Sequence, residues 1–186
     1  MRVLIVGLAA LAAACSADVN SGGGAAPGES YILEVRATSG EQTYLVTAPD
    51  GRVVGARAAE GASALMDSDR ARGLAGDPPP QGDMPPEVMS LRFPGVDLQI
   101  NAEGDGDDKN GRAAVSINAG DHNVIVHADE GGPGEADDRV YVRITGADQN
   151  AVRDFIEDAE ELSPQVKAEM LAELGIAAAQ HDEAQP

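Results

Sequence analysis

No tryptophan occurs in this chain, and its aromatic residues are limited to Tyr31, Tyr44, Phe93, Tyr141 and Phe155. A stacking platform for bases or sugars draws on several aromatics gathered together, and no stretch of the sequence gathers them. Cysteine is confined to Cys15, which excludes an intrachain disulfide and any zinc site built from several thiolates. Positive charge is scarce: 13 Lys and Arg stand against 32 Asp and Glu, for a net charge of -19. Phosphate backbones repel such a chain, so nucleic acid is not expected as a partner. The plain reading of the charge is solubility and distance from an anionic lipid surface, with cation binding or a basic partner as the other reading. A phosphate-cradling glycine loop with lysine, an H-E-x-x-H pair and a dinucleotide fingerprint are all missing.

A membrane-spanning run is missing too. The longest apolar stretch, Val3 to Ala14, has twelve residues, against the roughly 20 that a bilayer span needs. It follows the basic Arg2 and ends in small side chains, the pattern of a secretory signal. At its end stands Leu11-Ala12-Ala13-Ala14-Cys15. This segment resembles the lipobox of bacterial lipoproteins, with the departure that the family prefers Leu where Ala12 stands and Leu11 falls one position early. The resemblance implies cleavage before Cys15, a diacylglyceryl group on its thiol and acylation of its new amino group. The other reading is an ordinary A-x-A cleavage site that Cys15 merely follows. Two or more buried acyl chains suffice for stable anchoring, at about 0.8 kcal/mol per CH₂. In the same class an Asp directly after the lipidated Cys favours the inner membrane, so Ser16 implies an outer-membrane protein facing the periplasm.

Loss of residues 1–14 from the 186 leaves 172 and takes the net charge from -19 to -20, since Arg2 is the one charged residue removed. That length is one domain. Residues 15–30 read as lipidated Cys and flexible tether, rich in Gly, Ser and Ala, with a root-mean-square span of about 20 Å. The domain is expected over 31–176, with a Pro/Gly-rich loop at 70–87 and a disordered tail at 177–186.

Within the domain, strand periodicity dominates. Strand signals run over Tyr31–Ala37, Thr43–Thr47, Val53–Arg57, Val88–Phe93, Val96–Ala102, Ala113–Ala119, Asn123–Ala128 and Arg139–Thr145, with apolar residues spaced two apart most clearly at Tyr31, Leu33 and Val35, at Val96, Leu98 and Ile100, and at Val140, Val142 and Ile144. Ala48-Pro49-Asp50-Gly51 is a turn. Ala58–Met66 suggests a short helix weakened by Gly61. Leu98–Ala102, Val115–Ala119 and Val124–Ala128 echo one another at unequal spacings, which is not a solenoid repeat. Two helices close the domain. Thr145-Gly146-Ala147-Asp148 fits a capping box ahead of Val152, Phe155, Ile156, Ala159 and Leu162. Ser163 caps the second helix, Pro164 takes its first position and Gly175 ends it, with Ile176 placed to pack back on Leu171. The expected class is α+β: an antiparallel sheet of about seven or eight short strands with helices on one face.

Three local patterns suggest chemistry. Glu103, Asp105, Asp107 and Asp108 lie on a Gly-rich loop of the kind Ca²⁺ favours, but Lys109, Asn110 and Ser116 break the EF-hand register, and Asn110-Gly111 suits a hairpin turn. His122 and His127 have acidic neighbours, yet five residues apart on a strand they point to opposite faces. Ser63 stands between a strand and a possible helix, as in a nucleophile elbow, without the second glycine of G-x-S-x-G. No catalytic residue, cofactor site or metal site is therefore assigned, and Cys15 alone is assigned a role, as lipidation site. The leading expectation is a non-enzymatic envelope lipoprotein binding a protein or a small ligand, its contact with the membrane made through the lipid anchor. The alternatives are a Ca²⁺-binding domain using the 103–108 loop and a serine hydrolase at Ser63.

Overall fold

The computed structural model describes residues 30–76, 85–93, 96–104, 111–129 and 138–177. Cys15, the tether, the middle of the proline-rich stretch, Asp105, Asp107, Asp108 and the tail lie outside the described residues. The described residues form nine strands and three helices. In chain order the strands are β1 (Tyr31–Thr38), β2 (Glu41–Thr47), β3 (Val53–Ala59), β4 (Ala62–Leu65), β5 (Glu87–Phe93), β6 (Val96–Gly104), β7 (Gly111–Ala119), β8 (His122–Asp129) and β9 (Arg139–Ala147). The helices are α1 (Ser68–Leu74), α2 (Gln149–Glu157) and α3 (Pro164–Leu174).

All nine strands join one open antiparallel sheet in the order β4-β3-β2-β1-β9-β8-β7-β6-β5. It consists of two meanders sewn together where the first strand meets the last. Val35 pairs with Tyr44 on one side and with Val142 on the other. The chain leaves the sheet at the β4 edge, passes through α1 and returns at the opposite edge as β5.

Period-two alternation sorts the side chains. One face carries Leu33, Tyr44, Val46, Val54, Ala56 and Ala58 into a core closed by Val152, Ile156, Met170, Leu171 and Leu174 of α2 and α3. The opposite face carries Glu34, Leu45 and Gly55, which stand in register across β1, β2 and β3. α1 packs on this second face. A Cβ on Gly55 would lie 2.7 Å from Leu45 Cδ2 and 3.2 Å from Ala71 Cβ, so the missing side chain is what lets the helix approach.

The class is as expected and four local readings change. Ala58–Met66 is not a helix. β3 continues to Ala59 and β4 returns from Ala62, with Ala58 opposite Ser63. Glu60 and Gly61 both have positive φ, 52° and 78°, the two-residue turn whose twist suits a hairpin. This supplies the ninth strand. Helix α1 occupies part of the stretch 70–87 expected to be loop, capped by Asp67, whose carboxylate accepts from Asp69 N and Arg70 N. Because α1 lies on the second face, the helices are not confined to one side. Finally, Thr145 does not cap α2. β9 runs on to Ala147, with a register shift opposite Tyr31 and Ile32, and Asp148 caps the helix by accepting from Ala151 N.

The last helix follows its punctuation. Ser163 Oγ accepts from Val166 N, Gly175 is left-handed at φ 73°, and Ile176 N donates to Leu171 O at 2.9 Å while its side chain is buried. Gly55→Val is expected to destabilise the protein by about 1–3 kcal/mol through overpacking beneath α1, measured by urea denaturation. An unchanged midpoint would show that α1 does not lie against β3.

Candidate functional site

The two faces of the sheet present different chemistry, and the second face is the charged one. Six of the 13 basic residues, Arg36, Arg57, Arg92, Arg112, Arg139 and Arg143, fall on it by register. Much of this charge is already matched. Arg57 pairs with Glu41, Arg92 with Asp97 at 3.3 Å, and Arg112 with both Glu103 and Asp129 at 3.9 Å. Arg57 Nε and Arg143 Nε are buried without a hydrogen-bond partner among the described residues. They sit on β3 and β9, three strand spacings or about 14 Å apart, too far to form one anion site.

At the centre of this face Glu34 is buried, at 1% exposure. Its carboxylate accepts from the Tyr141 hydroxyl at 2.6 Å and from Gly76 N at 3.0 Å. Arg36 lies 5.3 Å above the Tyr141 ring and donates to Leu74 O at 2.5 Å. Burial, followed by the Glu34 hydrogen bond and charge, pushes the Tyr141 hydroxyl up to about 12, with Arg143 opposing. The cluster keeps Tyr141 a neutral donor and holds the C-terminal end of α1 against the sheet. Asn101 does similar work further along, donating to Pro85 O at 2.8 Å. Gly76 and Pro85, the described ends of the proline-rich stretch, are thus both held on the charged face, by strands four spacings or about 19 Å apart.

On the opposite face, the rows that run from β5 to β8 are apolar: Met89, Leu91, Leu98, Ile100, Val115, Ile117, Val124 and Val126. None of these belongs to the core cluster, whose strand residues come from β1 to β4 and β9. The helix contacts likewise fall on β1, β3, β4 and β9. The large hydrophobic residues classed as exposed, Val88, Met89, Leu91 and Val96, all stand on β5 and at the start of β6. This half of the sheet therefore has an apolar face without a described helix on it and a charged face tied up in ion pairs.

The residues singled out from sequence are distributed elsewhere. Ser63 lies on β4, in a hairpin and not a strand-to-helix elbow, and its Oγ accepts from Ser163 N at 2.8 Å, fixing the start of α3. It is five strand spacings from His127, about 24 Å, so these two cannot share a reaction centre. His122 and His127 occupy opposite faces of β8, as their spacing requires. His127 stands 6.3 Å from the Tyr141 ring, and partial burial lowers its pKa. Glu103 is turned towards Arg112. Among the described residues no three His, Cys, Asp or Glu side chains gather as metal ligands, and no helix is long and apolar enough to cross a membrane.

Sequence reasoning missed both Glu34 and the open apolar face. Glu34 reads as an ordinary outward residue of an alternating strand. The open face was legible only by comparing the width of the sheet with the width of the helices meant to cover it. No protein-family model, curated protein or solved structure matches the chain.

His127 gives this region a pH dependence. A depressed pKa means that the unfolded chain takes up a proton first, so this group's contribution is complete above about 6.5 and is lost as pH falls through the folded value. Urea midpoints between pH 7.5 and 5.5 should fall with pH, and His127→Gln should flatten part of that fall. The same slope in the variant would remove His127 from the account.

Proposed function

We propose that this chain is a lipid-anchored envelope lipoprotein of the outer membrane, facing the periplasm and non-enzymatic, that binds a protein or small ligand through the open half of its sheet. The anchor rests on the apolar Val3–Ala14 run, the Leu11–Cys15 segment and Ser16. The binding role rests on one observation: rows of apolar side chains on β5 to β8 stand outside the core cluster. Half-buried apolar rows with no described helix over them, edged by the exposed Met89 and Leu91, mark an interaction surface more often than a bare exterior. Four strands in parallel rows offer a broad surface rather than a few converging polar groups, which favours a macromolecule over a small ligand. The tether between Cys15 and β1 gives the domain about 20 Å of reach above the lipid surface.

Cys15→Ala tests the anchor. Labelled palmitate should no longer be incorporated, and the protein should remain uncleaved or be released; normal processing and sorting would contradict the lipoprotein reading. Pulldown from cross-linked envelopes tests the binding role. A partner above background is expected, whereas none, together with turnover in an ester or phosphoester panel, would replace binding with catalysis.

A further inference from the structure

We infer that the open half of the sheet is the interface of a homodimer, in which the apolar faces of β5 to β8 from two copies pack against each other; this deepens the binding role above and rests on it. The first argument is charge. In a twofold interface a surface meets itself, so each charge near the axis meets its own copy. The chain carries a net charge of -19, yet the rows formed by Met89, Leu91, Leu98, Ile100, Val115 and Val126 carry none. A basic partner would be recognised by acidic side chains within the contact, and here those side chains sit on the reverse face, paired with Arg92 and Arg112.

The second argument is area. Four strands at a spacing of about 4.8 Å and with lengths near 26 Å give a flat footprint of roughly 500 Å², and side-chain relief adds to it. Stable interfaces bury about 600–1,000 Å² per partner, so the flat footprint falls just short of that range and the relief of the side chains has to supply the remainder. The third argument is shape. Identical sheets share pleat and twist, and two such faces pack about 10 Å apart with their strands near -30°, the arrangement of a β-sandwich. The half of the sheet not covered by α2 and α3 then gains the second layer that an apolar sheet face requires. Anchoring both copies in one leaflet would raise their effective concentration and help the dimer to form.

The test is photo-cross-linking of the full chain in its own envelopes, with p-benzoylphenylalanine placed at Leu98 on the apolar face or at Gln99 on the charged face. The label at Leu98 should give a band of doubled mass containing peptides of this chain only, and the label at Gln99 should not. Met89→Glu combined with Leu91→Glu should reduce that band at least tenfold. These side chains are 47% and 41% exposed, so the fold should survive, which a thermal melt of the variant checks. A doubled band that persists at full strength in a folded variant overturns the dimer. A Leu98 cross-link to a different protein also overturns the dimer and leaves the binding role standing. A label that reacts with lipid or with nothing overturns both. The Leu98 label is read on its own, with a thermal melt of the labelled chain, so these outcomes hold even if the double variant fails to fold.

Discussion

An antiparallel sheet with one apolar face must put a second layer on that face, and among the described residues the helices are too few for the strands. Nine strands at about 4.8 Å span roughly 40 Å. Two helices side by side cover about 20 Å. α2 and α3 therefore close the core over β1 to β4 and β9, and the remaining strands keep the same alternation of side chains with no described helix above them. The proposed dimer follows from this mismatch of widths.

The charged face is organised by a different requirement, that a buried carboxylate find donors. Glu34 is buried because α1 and Gly76 lie over β1, and it is tolerated there because Tyr141 and Gly76 N donate to it. Arg36 completes the arrangement by taking the carbonyl of Leu74, a cation at a helix C-terminus. A comparable pairing closes the other side of the core. Tyr44 edges onto Phe155 and its hydroxyl donates to Glu161 at 2.5 Å; burial, followed by this hydrogen bond, raises its pKa. In a chain with five aromatics, two tyrosines thus donate to carboxylates, Tyr141 to Glu34 on the neighbouring strand and Tyr44 to Glu161 in the connection between α2 and α3.

Much of the fold could be read from residues alone because its signals are local. Val96 to Ala102 and Ala113 to Ala119 alternate cleanly, and they form β6 and β7 in register from Val96 opposite Ala119 to Gly104 opposite Gly111. The echo among Leu98, Val115 and Val124 proves to be three neighbouring strands presenting one apolar face. The errors fall where two readings of a short segment compete. Ala58 to Met66 is alanine-rich and reads as helix, but a two-residue turn at Glu60-Gly61 makes it a hairpin. The capping box places the cap at Thr145, but β9 runs on to Ala147 and Asp148 caps the helix instead. The candidate surface was harder to see because it is a property of the whole sheet. Each of its residues looks like core in sequence, and only the assembled layers show which residues lie outside the cluster.

Amide hydrogen exchange of the full chain tethered to vesicles, followed as its surface density rises, tests most directly whether one half of the sheet stands alone and the other is completed by a second copy. Amides of β1, β2 and β9 should exchange slowly at every density, while those of β5 to β7 should exchange faster at low density and slow as density rises. Protection in β5 to β7 that does not change with density would contradict the account.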